Sequence, residues 1–341
     1  GARYTSVFLY WFMVVVIACA MGIVLTCVLV ARRVTRPIAT LADGARRIGG
    51  GDFSHRLDIR TGDEIEELAT AFNGMAASLR EYMDNLARTV AAKERIEQEL
   101  AVAAQIQISM LPREFPPFPG RTDIDLHATM KPAREVGGDF YDYFFIDSRT
   151  LWFCIGDVCG KGVPAALFMA ITKTLLASGA TQLKSPAAIL QAVNNLLARN
   201  NENCMFATVF CGFLDTETGV IRYANGAHNH PVILPASGEA QYHVPAVSGI
   251  PLGPMDLTEP TYADETLELP HGATLLLYTD GVTEAFDPDG VALGEERFLT
   301  ILQKRVEAAH PLVDQVAAGV QVFVREAEPS DDITILAIRR T

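Results

Sequence analysis

Four aspartates each stand at the end of a strand-like run, beside glycine or another acidic residue. They are Asp139 in VGGDFYD, Asp157 in CIGDVCGKG, Asp280 in LLLYTDGVTEA and Asp331 in PSDDITILAI. A buried carboxylate must be solvated, paired or bound to a metal, because an isolated buried charge is too costly. Four such groups that converge would form an oxygen-rich site for Mg²⁺ or Mn²⁺. The sequence therefore predicts a site for hard divalent cations.

A site of this kind is suited to phosphate hydrolysis. Two divalent ions about 3.5 to 4 Å apart activate a bridging water and hold a phosphoryl group for in-line displacement. Any one of the aspartates, taken alone, is better explained as a turn or cap residue than as a metal ligand. The ordered set of four favours metal-assisted phosphate hydrolysis without a phosphoenzyme intermediate.

Two rival chemistries find little support. The segment GDVCGKG is not a nucleotide-binding P-loop, because only three residues separate Gly156 from Gly160 and Lys161 is followed by glycine. No G-x-S-x-G motif occurs, and neither Cys154 nor Cys159 has a basic partner that the sequence identifies. The six cysteines form no C-x-x-C pair, so neither a zinc site nor a disulfide framework is predicted.

The elements that position the aspartates alternate between strands and helices from residue 124 onward. The predicted strands are Ile124 to Met130, Tyr141 to Ile146, Leu151 to Ile155, Phe206 to Leu214, Val220 to Ala224, Thr274 to Tyr278 and Ile333 to Ile338. The predicted helices are Val163 to Ala177, Pro186 to Arg199 with Ser185 as N-cap, Glu295 to Ala309 and Leu312 to Glu326. Few helices among many strands predict an α+β sheet sandwich covered by helices.

The N-terminal segment predicts a membrane-spanning helix. No charged residue lies between Arg3 and Arg32, a stretch longer than the ~20 apolar residues that cross a bilayer. The arginines that follow it place the C-terminal side in the cytoplasm, so we expect a single span in the inner membrane. Because the sequence starts at Gly1, directly at this span, we expect it to lack an N-terminal sensor.

Two amphipathic helices follow, joined by a connector that starts with three glycines at 49–51. Pro37 is expected to interrupt the helical path, and the Asp63–Glu64 pair to begin the second helix. Its apolar residues follow a heptad, which favours a coiled coil with a second copy over a helix packed on its own domain. They are Ile65, Leu68, Phe72, Met75, Leu79, Tyr82, Leu86, Ile96, Leu100 and Ala103. The arrangement resembles a HAMP relay module, although Glu66 departs from the small residue usual there.

The motifs VGGDFYD, GDVCGKG, YTDGVTE and DDIT together resemble the SpoIIE-like branch of the PPM-type protein phosphatases, over nearly all of 111–341. The layout is most similar to regulators of the RsbU type. The resemblance implies two Mn²⁺ or Mg²⁺ ions held by Asp139, Asp157, Asp280, Asp331 and the carbonyl of Val158. It leaves Asp332 as an alternative to Asp331 and Asp142 as a weaker outer ligand. The implied domains are a transmembrane helix (1–32), HAMP (33–88), a coiled-coil linker (89–110) and a phosphatase domain (111–341).

Two further residues are candidates for the site. Arg134 lies five residues before Asp139, and its planar guanidinium suits a substrate phosphate. A surface ion pair with Glu135 or another nearby carboxylate is the alternative. His228, in ANGAHNHP, is better explained as a hydrogen-bonded structural histidine than as a catalytic acid.

The net charge of −13 argues against nucleic acid as a partner. The resemblance instead implies a phosphorylated anti-sigma-factor antagonist as substrate, and the heptad predicts a homodimer. A non-catalytic scaffold with a phosphatase-like domain and a metal-dependent phosphodiesterase are the alternatives. Metal binding and a panel of substrates would separate the three.

Overall fold

The computed structural model describes residues 2–199, 201–304 and 306–341 of the chain. It divides into two compact units, Gly1–Glu97 and Gln98–Thr341. The first is helical, and the second contains all the strands found in the described residues. Each unit is considered by itself.

The helical unit begins with α1 (Ala2–Val30), whose large apolar side chains are exposed over its described length. A π-helical turn (Ala31–Thr35) leads directly into α2 (Arg36–Gly49), so the helical path does not break. The prediction that Pro37 interrupts the helix is therefore wrong. Proline is tolerated here because it lies in the first turn of α2, where its missing N–H is not needed.

The glycine-rich connector is held against α3 (Glu64–Ser109) by a reciprocal pair of hydrogen bonds. The Leu57 N–H donates to Asn73 Oδ1, and Asn73 Nδ2 donates to the Leu57 carbonyl, both at 2.9 Å. The Leu57 side chain is buried against Gly44, where a Cβ atom would lie 2.7 Å from Leu57 Cδ2. The apolar heptad positions Leu68, Met75, Leu79, Tyr82, Leu86 and Ile96 of α3 are exposed.

The second unit is built from two five-stranded antiparallel sheets. One has the order β1 (Ile124–Lys131), β10 (Ile333–Arg340), β9 (Thr274–Tyr278), β6 (Val232–Leu234) and β7 (Gln241–Tyr242). The other has the order β2 (Phe140–Phe145), β3 (Thr150–Val158), β4 (Ala207–Asp215), β5 (Val220–Gly226) and β8 (Glu265–Glu268).

The helices cover the sheets, which confirms the predicted α+β sandwich. Helices α4 (Val163–Gln182) and α5 (Pro186–Ala198) pack on the sheet that contains β3. Helix α8 (Ala309–Val324) packs on β1 and β10 and is joined there by α7 (Gly294–Leu302). The predicted cap of α5 is confirmed, since Ser185 Oγ accepts a hydrogen bond of 3.1 Å from the Ala188 N–H.

The seven predicted strands are all present, within three residues of their predicted ends. The predicted helix Glu295 to Ala309 is wrong at its C-terminal end: α7 stops at Leu302, and Ala309 begins α8. The prediction missed the short strands β6, β7 and β8 and the one-turn helix α6 (Asp280–Thr283). These elements are too short to carry a periodic pattern of apolar residues.

Candidate metal centre

The four predicted aspartates lie where strands of both sheets end. Asp139 precedes β2 and Asp157 is near the end of β3, and the pairing of Phe140 with Gly156 brings the two into adjacent positions. The other two aspartates belong to the sheet that contains β9 and β10. Asp280 follows β9 and Asp331 precedes β10, which pairs antiparallel with β9. Each sheet thus supplies one neighbouring pair.

A buried threonine joins the two pairs. Thr279 Oγ1, from the sheet that contains β9, donates a 2.7 Å hydrogen bond to Asp139 Oδ2, which belongs to the other sheet. The same oxygen accepts a 2.9 Å hydrogen bond from the Thr334 N–H. Thr279 is fully buried. Sequence reasoning missed this residue, although it directly precedes Asp280 in the YTDG motif.

We expect Thr279→Val to destabilise the second unit by about 1–3 kcal/mol, because the isosteric side chain leaves the Thr334 N–H and Asp139 buried without this partner. Thr279→Ser keeps the hydroxyl and is the matched control. Guanidinium unfolding of the full chain in detergent micelles, followed by the fluorescence of buried Trp152, would measure the difference. Equal unfolding free energies for the valine and serine variants would contradict this role.

Burial and mutual repulsion oppose ionisation of the cluster. Burial is the main cause that raises the pKa of Asp157 to about 7, and the charges of Asp280 and Asp331 add to this shift. Burial, followed by Glu284 and Asp331, raises the pKa of Asp280 to about 6. The pKa of Asp139 is raised well above its usual range, chiefly by burial. A divalent cation would offset this accumulated negative charge.

The two aspartates of the DDIT motif have different environments. Asp332 is buried, and its carboxylate oxygens accept hydrogen bonds from the Ala133 N–H at 2.7 Å and the Gly138 N–H at 2.6 Å. Asp331 is partly exposed, and its Oδ2 lies 3.0 Å from Lys161 Nζ. Asp332 is therefore engaged in hydrogen bonds that hold the loop before β2, and its charge acts on Asp139 and Asp157. Asp331 accepts no hydrogen bond from that loop among the described residues, and its charge acts on Asp157 and Asp280. This difference favours Asp331 as the metal ligand.

The backbone around the cluster is closely packed. A Cβ atom on Gly138 would lie 2.7 Å from the Val158 carbonyl oxygen, the backbone ligand that the family resemblance implies. The donor set is made of oxygens from carboxylates and a carbonyl, which suits Mg²⁺ or Mn²⁺. Among the described residues, no three acidic, histidine or cysteine side chains form a ready-made ion site as they stand. The residues fit these ions by the chemistry of their donor atoms.

The remaining candidates lie outside the cluster. Asp142 forms a buried ion pair with Lys173 of α4, with 2.7 Å between Oδ2 and Nζ. Arg134 is exposed. Among the residues that the structure describes, no hydrogen bond or ion pair joins it to Glu135 or to the four aspartates. Asp142 is thus committed to a structural contact, and Arg134 remains a prediction.

His228 lies behind the site as a buried structural group. Its Nδ1 is 2.9 Å from Thr208 Oγ1, and Thr208 is paired with Asp157 across β3 and β4. Its backbone exchanges two hydrogen bonds with the side chain of Asn225. Burial lowers the pKa of His228 to about 4. The histidine is therefore neutral near pH 7 and unsuited to donate a proton from an imidazolium.

Two family models match the chain. A model described as stage II sporulation protein E (SpoIIE) matches residues 147–341, which is more than half of the sequence. A HAMP domain model matches residues 29–81.

Two curated proteins illustrate the similarity. The chain is 28% identical to Protein IcfG of Synechocystis sp., over 90% of this chain and 51% of that protein. It is 26% identical to the phosphoserine phosphatase RsbU of Bacillus subtilis, over 73% of this chain and 72% of that protein. The chain thus spans about half the length of IcfG.

Solved structures show the same architecture. The SiaA-PP2C domain of Pseudomonas aeruginosa aligns with a TM-score of 0.62 and 25% identity, over 74% of this chain and 99% of that chain. The PP2C phosphatase domain of SpoIIE from Bacillus subtilis aligns with a TM-score of 0.55 and 17% identity, over 63% of each chain. The two-sheet sandwich described above is therefore the fold of these phosphatase domains.

Proposed function

The chain belongs to the SpoIIE family of PPM-type phosphatases, and we propose that it is a membrane-anchored, metal-dependent protein serine/threonine phosphatase in signal transduction. The observation that carries the proposal is the convergence of aspartates from both sheets around Thr279. The name of the relative RsbU, a phosphoserine phosphatase, supports the choice of a phosphorylated hydroxyl amino acid as substrate.

In this proposal Asp139, Asp157, Asp280, Asp331 and the Val158 carbonyl hold two Mn²⁺ or Mg²⁺ ions. Bound ions would supply an activated water and charge neutralisation for the phosphoryl group. The protein's own contribution is to gather the carboxylates from separate strands and to exclude bulk water from Asp139, which is buried, while Asp157 is half-buried. Arg134, on the exposed loop before Asp139, is proposed to bind the substrate phosphate.

The proposed substrate is a phosphorylated anti-sigma-factor antagonist protein, as the resemblance to RsbU-type regulators implies. Removal of its phosphate would free the antagonist to bind its anti-sigma partner. The helical unit agrees with a receptor role, because the predicted HAMP module is confirmed by the match to residues 29–81.

Membrane attachment and dimerisation are proposed for the helical unit. The residues of α1 form a long helix without charged side chains beyond Arg3, and its apolar surface is exposed. The exposed apolar heptad of α3 would be covered by the same helix of a second copy. We therefore place the phosphatase domain on the cytoplasmic side of the inner membrane, in a homodimer.

The test is phosphate release by the full chain in detergent micelles, from a phosphoserine protein and from para-nitrophenyl phosphate. We expect turnover with Mn²⁺, loss to background with a chelator, and recovery when excess Mn²⁺ is restored. A phosphodiester serves as the control substrate and should not be cleaved. Binding of Mn²⁺ without release from any phosphomonoester would indicate a scaffold, and cleavage of only the phosphodiester would indicate a phosphodiesterase.

A further inference from the structure

Lys161 forms an ion pair with one of the four aspartates of the acidic cluster. The residue belongs to the GDVCGKG loop that follows β3, between two glycines with positive φ, Gly160 at 86° and Gly162 at 77°. Its Nζ is 3.0 Å from Asp331 Oδ2 and also donates to the carbonyl of Ser330. Lys161, in the loop after β3, thus holds the segment that leads into β10 of the other sheet.

This ion pair differs from an ordinary surface pair in its surroundings. The side chains of Lys161 and Asp331 are 34% and 36% exposed, and Asp331 also raises the pKa values of Asp157 and Asp280. The positive charge of Lys161 has the opposite effect, since it lowers the pKa of Asp280. The charge of Lys161 therefore acts on two carboxylates of the cluster, Asp331 and Asp280.

The contact competes with metal binding through one oxygen. Asp331 Oδ1 accepts a 2.9 Å hydrogen bond from the Asp332 N–H, so Oδ2 is the oxygen left for another partner. That oxygen faces the lysine ammonium. A divalent cation on Oδ2 would share this oxygen with the ammonium, and two cations that approach one carboxylate oxygen repel each other. The ion and the Lys161 ammonium therefore compete for the negative charge of Asp331.

We propose that Lys161 is a positioning residue whose ammonium pairs with Asp331 and competes with a divalent cation for that carboxylate. This inference rests on the proposed function, because it assigns Asp331 to a bound metal. Lys161 holds the two loops in place before the ion arrives, and it lowers the affinity for that ion.

The test is calorimetric titration of the metal-free full chain, in detergent micelles, with Mn²⁺. Lys161→Met keeps most of the aliphatic stem and removes the charge. We expect it to tighten the weaker Mn²⁺ site by about fivefold or more, as the loss of a partly exposed ion pair and a nearby like charge predicts. Circular dichroism and Trp152 fluorescence would verify that the variant is folded.

Lys131→Met is the matched control. Lys131 lines the same cavity of about 460 Å³ as Asp331, but its Nζ donates to Gln321 Oε1 at 3.3 Å and not to the cluster. We expect this variant to change the Mn²⁺ affinity by less than about twofold, because a charge that makes no direct contact is screened by solvent.

The outcomes separate this inference from the proposed function. Unchanged or weaker Mn²⁺ binding by the Lys161 variant, in a chain that hydrolyses phosphoserine, would overturn the inference alone. Equal tightening of Mn²⁺ binding by Lys161→Met and Lys131→Met would also overturn the inference. The gain in affinity would then come from the removal of any nearby positive charge. Tighter binding by the Lys161 variant in a chain that releases no phosphate would support the inference and overturn the function. A chain that binds no Mn²⁺ would overturn both.

Discussion

Asp157→Asn is expected to lower kcat/KM for a phosphoserine protein by more than about 100-fold, since residues that merely support a metal ligand already contribute about 10- to 100-fold. Asp157 belongs to the pair on the sheet that contains β3, and its carboxylate interacts electrostatically with both aspartates of the other pair, Asp280 and Asp331. Asparagine keeps the size of the side chain but removes its charge. Phosphate release at saturating Mn²⁺, together with Mn²⁺ titration, would measure the change.

Asp147→Asn is the control for this experiment. Asp147 lies in the exposed turn between β2 and β3, where its Oδ1 accepts 2.8 Å hydrogen bonds from the Arg149 and Thr150 N–H groups. This turn is at the opposite end of β3 from Asp157, so activity should be unchanged within about twofold. Full activity of the Asp157 variant, with unchanged Mn²⁺ affinity, would remove Asp157 from the site.

Gly281→Ala is expected to reduce phosphate release by about 10-fold or more and to destabilise the second unit by about 1–3 kcal/mol. A Cβ atom on Gly281 would overlap the carbonyl oxygen of Asp332 and lie 3.3 Å from the carbonyl carbon of Asp331. The obstacle is backbone, which cannot rotate away as a side chain does. The loop that carries Asp331 must therefore move away from Asp280.

Gly74→Ala is the matched control, because both glycines are helical and Gly74 has no neighbouring atom within 4 Å of an added Cβ. In α3 the substitution should leave activity unchanged and stabilise the helix by up to about 1 kcal/mol. Steady-state kinetics and guanidinium unfolding of both variants would provide the comparison. Wild-type activity of the Gly281 variant would show that the loop that carries Asp331 need not lie so close to the segment that carries Asp280.

Local patterns in the sequence were sufficient to predict the seven longer strands and the α+β class. Strands such as β9 are recognisable because runs of buried apolar residues end abruptly at a polar residue, here at Thr279 and Asp280. The same patterns predicted the long apolar α1 and the heptad of α3. Each of these features depends on residues that are close in sequence, so composition and spacing are enough to predict it.

The tertiary structure decided which groups meet. The contact between Thr279 and Asp139 joins residues 140 positions apart, and that between Lys161 and Ser330 joins residues 169 positions apart. No local pattern specifies such pairs, because they depend on how the two sheets face each other. The sequence favoured Asp331 over Asp332 only through the family resemblance, and it could not reveal how their surroundings differ. Their environments differ only because the loop before β2 folds over Asp332 and the loop after β3 brings Lys161 to Asp331.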